Sequence, residues 1–148
     1  MTISLENTIP PERVVLLSAT SKDEALRELA AAISSSPEVT DADKLLEAIL
    51  ERETIMSTGI GLGIAIPHAK IPSVSEFVVA FGKASHGLDF NSLDGKPVEF
   101  LVMIAGPDSQ QERYLQLLAR ITLKLKDAGV RRRLAEAGDV EEILAALR

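Results

Sequence analysis

The chain has no cysteine, no tryptophan and a single tyrosine, Tyr114. Without a thiol there can be no disulfide, no thiolate nucleophile, no iron–sulfur cluster and no cysteine-based zinc site. A reducing, cytoplasmic setting is therefore the expected one. Aromatic residues make up only 3% of the 148 residues, which leaves almost no stacking platform for single-stranded nucleic acid. The net charge of −6 lacks the basic excess that binding a phosphate backbone requires, so nucleic acid is not an expected partner. No apolar run approaches the roughly 20 residues needed to cross a bilayer, and direct membrane insertion is not expected. The opening Met1-Thr2-Ile3-Ser4-Leu5-Glu6 has no basic region followed by an apolar one, so no targeting leader is expected either. With only two histidines, His68 and His86, and no His-Glu-x-x-His spacing, neither a metal nor another cofactor is expected.

What is present is aliphatic: hydrophobic residues account for 46% of the chain, almost all of them Leu, Ile, Val and Ala. A chain of this length buries roughly 68–70% of its unfolded surface in one core. Val14 to Leu17 is a β-branched run that predicts an early strand. Ser21 with Glu24 forms a capping-box pattern before a helix whose stripe is Leu26, Leu29, Ala30 and Ile33. Thr40-Asp41 precedes a second helix carrying Leu45, Leu46, Ile49 and Leu50, with its end expected near Glu51 to Glu53. The middle third holds short apolar runs that predict strands over 62–66, 77–81 and 98–105, and Asp94-Gly95 supplies a turn signal between the last two. After Pro107 the helical period returns. Ser109 and Glu112 read as a capping box, with Leu115, Leu118, Thr122 and Leu125 as the inner face of a long helix stopped near Gly129. Val130 to Ala137 is a short helix at most, and Asp139 caps a last one carrying Ile143, Leu144 and Leu147. No repeat or linker interrupts the chain, so residues 1–148 are expected to form a single α/β domain, a mixed β-sheet flanked by helices.

The segment from Arg52 to Lys70 is the most unusual: Arg-Glu-Thr-Ile-Met-Ser-Thr-Gly-Ile-Gly-Leu-Gly-Ile-Ala-Ile-Pro-His-Ala-Lys. Its three alternating glycines do not complete a dinucleotide fingerprint, and no Gly-Lys-Ser/Thr follows for a P-loop. Pro67 fixes its own φ and biases Ile66 toward an extended conformation, so His68 emerges at a defined place where a strand stops. A neutral imidazole carries a lone pair suited to attack on phosphorus. Arg52 has the guanidinium fork that stabilises an incoming phosphoryl group. Taken alone, the same residues also fit a surface histidine, turn chemistry and a solvated helix-end arginine, and composition leaves both readings open. His86, between strands, and the run Arg131-Arg132-Arg133 fit surface roles, the latter with docking of an acidic partner as its alternative.

The run from Ser57 to Lys70, preceded by Arg52-Glu53, resembles the active-site signature of the fructose/mannitol type of phosphotransferase-system enzyme IIA domain, including its nitrogen-regulatory relatives. Weaker similarity continues through Gly87-Leu88-Asp89-Phe90, Asp94 to Val98, and Leu115 to Ala119. The resemblance implies a phosphotransferase component in which His68 accepts a phosphoryl group from an HPr-type phosphocarrier protein. It implies that Arg52 is the family's arginine near that site, with Ser57 and Thr58 as neighbours whose hydroxyls could reach the phosphate. It also implies a IIB component or a regulated protein as the next partner. No IIB or membrane IIC segment is recognisable in the sequence, so if the chain serves sugar uptake those parts are expected on separate proteins. One departure stands out: where family members commonly carry a second histidine, in His-Leu-x-x-Leu, this chain has Tyr114-Leu115-Gln116-Leu117-Leu118. A phenol donates a hydrogen bond but carries no charge at neutral pH, and Tyr114 fits equally an amphipathic residue at a helix edge.

Overall fold

The computed structural model describes residues 8–148, and the expectation drawn from Met1 to Glu6 lies outside them. After a short 3₁₀ turn at Pro11–Arg13, β1 (Val14–Leu16) leads into α1 (Lys22–Ser34) and α2 (Ala42–Ile55). Four strands follow closely, β2 (Gly59–Gly61), β3 (Ile64–Ala65), β4 (His68–Lys70) and the long β5 (Val78–Leu88), then β6 (Val98–Gly106). The chain closes with α3 (Gln111–Lys126), α4 (Ala128–Glu136) and α5 (Val140–Leu147).

The helices begin where short polar side chains satisfy free amides. The Ser21 hydroxyl accepts from the Glu24 amide at 3.2 Å, Asp41 from Lys44 at 3.1 Å and Asp139 from Glu142 at 2.8 Å. The sheet runs β1-β5-β6-β3-β2, with β4 continuing β3 along the same edge of β6. It is mixed: β5 and β6 are antiparallel, whereas β1 is parallel to β5 and both β3 and β4 are parallel to β6. Both faces of β6 are covered, which explains its uninterrupted apolar run. Phe100, Val102 and Ile104 pack into one core with residues of α3, α4 and α5, while Leu101, Met103 and Ala105 pack into the other with α1 and α2. The architecture is therefore the expected α/β class, with helices on both faces of one mixed sheet.

The structure corrects the sequence reading in several places. The predicted strand over 62–66 is interrupted by a hairpin turn, because Leu62 (φ 59°) and Gly63 (φ 76°) both adopt left-handed conformations and join β2 to β3. The long α3 begins after Gln110, in a left-handed conformation (φ 66°), and not at a Ser109 cap. Its inward stripe is Tyr114, Leu117, Ile121 and Leu125, which turns the expected Leu115 outward to 51% exposure. Gly129 does not stop this helix. Asp127 ends it by accepting the Gly129 and Val130 amides at 2.8 and 3.3 Å, which starts α4. His86 lies within β5 rather than in a connection, and it is exposed.

Candidate functional site

The site grows from the way the chain leaves α2. After Ile55 the backbone turns through Ser57 and Thr58 and runs antiparallel to β3, so that the Ile66 amide donates to the Thr58 carbonyl at 3.0 Å. Pro67 has no amide to donate, and the ladder breaks there, yet its carbonyl still accepts from Ile104 at 2.9 Å. The strand resumes at His68 in register with Ile104. Neighbours across a sheet share a face, so His68 and Lys70 point with Ile104 toward α3, and Ala69 points with Ala105 toward α2.

His68 is partly buried there, its ring tilted against Tyr114 with centroids 5.6 Å apart. Its Nδ1 lies 3.0 Å from the Ile66 carbonyl oxygen. A carbonyl only accepts, so Nδ1 carries the proton and donates, and Nε2 keeps its lone pair. Burial lowers the pKa of His68 from its ordinary value. The Ile66 bond opposes that shift, the cations Arg52 and Lys70 push it further down, and Glu53 opposes them. The ring is consequently neutral near pH 7, with a nucleophilic nitrogen left free.

Arg52 stands in the last turn of α2, where its Nη1 donates to the Met56 carbonyl at 3.0 Å and its charge reaches both His68 and Tyr114. The hydroxyls of Ser57 and Thr58 are directed elsewhere. Ser57 donates to the Phe90 carbonyl and accepts from the Gly59 amide at 3.1 Å. Thr58, buried at 5% exposure, donates to Glu53 Oε1 at 2.7 Å while its amide donates to Glu53 Oε2 at 2.8 Å. Each hydroxyl has one proton to give, and both protons point into the loop itself. Tyr114 sits on the inner face of α3 rather than at its edge, only 6% exposed, and burial raises its pKa so that it stays a neutral phenol.

Two residues of the site were missed by sequence reading. Glu53, with its side chain 5% exposed, pairs with Lys22 Nζ at 2.9 Å and so ties the start of α1 to the loop before β2. A hint was available, because a carboxylate in the last turn of a helix opposes the dipole and needs a compensating partner. Lys70 carries no signal in the sequence beyond closing the motif. Its ammonium lies 4.3 Å from the Tyr114 ring centroid and donates to Gln111. Elsewhere Arg131 closes the C-terminus of α3 by donating to the Leu125 and Lys126 carbonyls at 2.9 and 2.7 Å, so the arginine run is partly structural. The described residues contain no group of three or more His, Asp or Glu side chains that could hold a metal, and no helix long and apolar enough to cross a membrane.

The structure thus sets an imidazole at the start of β4, with Nδ1 bonded to the Ile66 carbonyl and the charges of Arg52 and Lys70 acting on the ring. The chain belongs to the EIIA 2 family of the phosphoenolpyruvate-dependent sugar phosphotransferase system, whose model matches residues 7–148. It is 38% identical to the PTS system fructose-specific EIIA component of Haloferax volcanii, over 94% of this chain and 94% of that one. Its fold matches the nitrogen regulatory protein IIA-Ntr of Neisseria meningitidis with a TM-score of 0.88 at 26% identity, covering 97% of this chain and 99% of that one. It also matches the mannitol enzyme IIA of Escherichia coli, solved in complex with phosphorylated enzyme IIB, with a TM-score of 0.79 at 25% identity, covering 92% and 94%.

Proposed function

We propose that residues 1–148 act as one phosphohistidine carrier of the phosphoenolpyruvate-dependent phosphotransferase system, accepting a phosphoryl group from an HPr-type protein on His68. The observation that carries this reading is the bond from His68 Nδ1 to the Ile66 carbonyl, which leaves Nε2 as the nucleophile. In the transfer, the Nε2 lone pair forms a bond to phosphorus while the phosphorus–nitrogen bond of the donor's phosphohistidine breaks and its electron pair returns to the donor ring. No proton has to move. His68 becomes a phosphorylated imidazolium whose Nδ1–H still donates to Ile66, a bond that strengthens as the ring becomes positive. Arg52 stabilises the charge on the phosphoryl oxygens. Ser57 and Thr58 shape the neighbouring loop, and Tyr114 walls the ring.

A protein donor needs a surface on which to dock. Ile60 (43% exposed) and Leu62 (52%) on the hairpin, with Leu93 (84%) beside them, offer exposed apolar side chains on the segment that leads to His68. The regulatory, nitrogen-type role is the form of the reading favoured by the likeness to IIA-Ntr and by a neutral phenol at position 114, where onward transfer loses an imidazolium. The likeness to a fructose-specific EIIA component and to a mannitol IIA bound to IIB favours the alternative, a component that passes phosphate to a fructose- or mannitol-type IIB for sugar uptake.

Incubation with labelled phosphoenolpyruvate, enzyme I and its phosphocarrier tests the reading: wild type gains an acid-labile label and His68→Ala does not. Absence of label on wild type, while the carrier is labelled, rejects it. Adding a fructose- or mannitol-type IIB then separates the two forms, since label chased onto IIB supports transport and label retained supports regulation.

A further inference from the structure

The charge around His68 is distributed unevenly. Four groups bear on the ring: the charges of Arg52, Lys70 and Glu53 act on it, and the phenol of Tyr114 packs against it with centroids 5.6 Å apart. Glu53 is engaged by Lys22 and Thr58, and the phenol is held neutral by burial, so positive charge for a phosphoryl group comes from Arg52 and Lys70 alone among these four. Arg52 is anchored to the Met56 carbonyl at the end of α2. Lys70 is placed differently. It stands two residues beyond His68 on the same strand, which puts both side chains on one face, about 7 Å apart at their roots.

The resting position of Lys70 is a weak one. Its ammonium rests on the Tyr114 ring, 4.3 Å from the centroid, and donates to Gln111, the first residue of α3. A cation–π contact of this kind contributes modestly, and the N-terminus of a helix favours anions over cations. A dianionic phosphoryl group on Nε2, carrying roughly −1.5 to −2 charges, offers this ammonium a stronger partner.

We propose that Lys70 is a phosphate-binding residue of this site, parked on the Tyr114 ring in the unphosphorylated protein and transferred to the phosphoryl oxygens once His68 is modified. The ring of Tyr114, not its hydroxyl, is then the group that matters at position 114. It holds the cation within reach, and the phosphorylated form outlives that of a site with Arg52 alone. This inference rests on His68 being the acceptor.

The test pairs transfer with a direct view of the lysine. Wild type, Lys70→Met, Lys70→Arg and Tyr114→Phe are labelled through phosphoenolpyruvate, enzyme I and the phosphocarrier, with folding checked by circular dichroism. Loss of Lys70 shifts the equilibrium toward the phosphorylated donor about tenfold and speeds loss of the label, the effect of one charge-assisted bond. Lys70→Arg retains most of the wild-type behaviour, and Tyr114→Phe stays close to it. By NMR, the Lys70 side-chain protons are displaced upfield by the Tyr114 ring in the unphosphorylated protein and lose that displacement on phosphorylation. If wild type is labelled on His68, Lys70→Met holds the label equally well and the Lys70 protons do not move, the role of Lys70 is overturned while His68 stands as acceptor. If wild type takes no label from a labelled carrier, both fall together.

Discussion

The Nδ1–H of His68 donates to the carbonyl oxygen of Ile66, two residues earlier in the same chain, across 3.0 Å. Pro67 makes this geometry available. Its fixed φ restricts the chain between Ile66 and His68, and its missing amide leaves the ladder open between them. The bond fixes the tautomer and leaves Nε2 as the one basic nitrogen.

That environment has a pH signature. The pKa of His68 is lowered on folding, first by burial and then by Arg52 and Lys70, so the unfolded chain binds this proton more readily than the folded one. The stability contributed by neutral His68 is complete above its ordinary pKa of 6.5 and is lost as pH falls through the lower, folded value. Urea unfolding from pH 8 to pH 5 therefore shows a steeper loss below pH 6.5 in wild type than in His68→Gln. Parallel profiles for the two proteins would mean that the ring does not titrate as its burial requires.

Glu53 offers a second test. It accepts two hydrogen bonds from Thr58 and an ion pair from Lys22, so removing the carboxylate strands the buried Thr58 amide and hydroxyl, while Lys22 keeps the Phe90 carbonyl at 3.4 Å. Glu53→Ala is expected to cost about 3 kcal/mol, the lower end of the range for breaking a buried pair, because Lys22 retains 22% side-chain exposure. Denaturant titration reads this directly. Phosphoryl acceptance falls more than the loss of folded protein explains, since the loop carrying Ser57 and Thr58 loosens beside His68. An unchanged unfolding midpoint would show that the pair does not hold the loop.

Gly59 marks how closely that loop is packed. A Cβ at this position would lie 2.2 Å from the Ser92 Oγ and 3.2 Å from the Ser92 Cα. Gly59→Ala should destabilise by about 1–3 kcal/mol through overpacking, and adding Ser92→Gly should restore part of the loss by removing the nearer atoms. Thermal unfolding of the single and double variants measures both effects, and failure of the second change to help would place the strain elsewhere.

Much of this was legible in the sequence, and the failures have physical causes. The caps at Ser21, Asp41 and Asp139 were readable because a short polar side chain and a free amide lie within three residues of each other. The run from Val98 to Ala105 read as a strand because both of its faces are buried. The turn at Leu62 was hidden, since a leucine at φ 59° carries no local signal and is held in part by the Asp94 side chain, which accepts its amide at 3.2 Å from another loop. The inward face of α3 was misread by one residue because leucines stand at both 117 and 118, and only packing against the sheet decides between them. His68 and Arg52 were singled out through a long motif, and the structure sets them near enough for the arginine's charge to act on the ring. Glu53, Lys22 and the perch of Lys70 on Tyr114 depend on contacts between residues distant in sequence, which no periodicity reveals.

The most direct measurement is the position of the phosphorus–nitrogen bond. Protein enriched in nitrogen-15 at histidine is phosphorylated through phosphoenolpyruvate, enzyme I and the phosphocarrier, and examined by phosphorus–nitrogen correlation NMR. The expected result is coupling to Nε2 of His68, with Nδ1 still protonated toward Ile66. Coupling to Nδ1, phosphate on His86 or any other residue, or an unlabelled chain beside a labelled carrier would contradict His68 Nε2 as the acceptor.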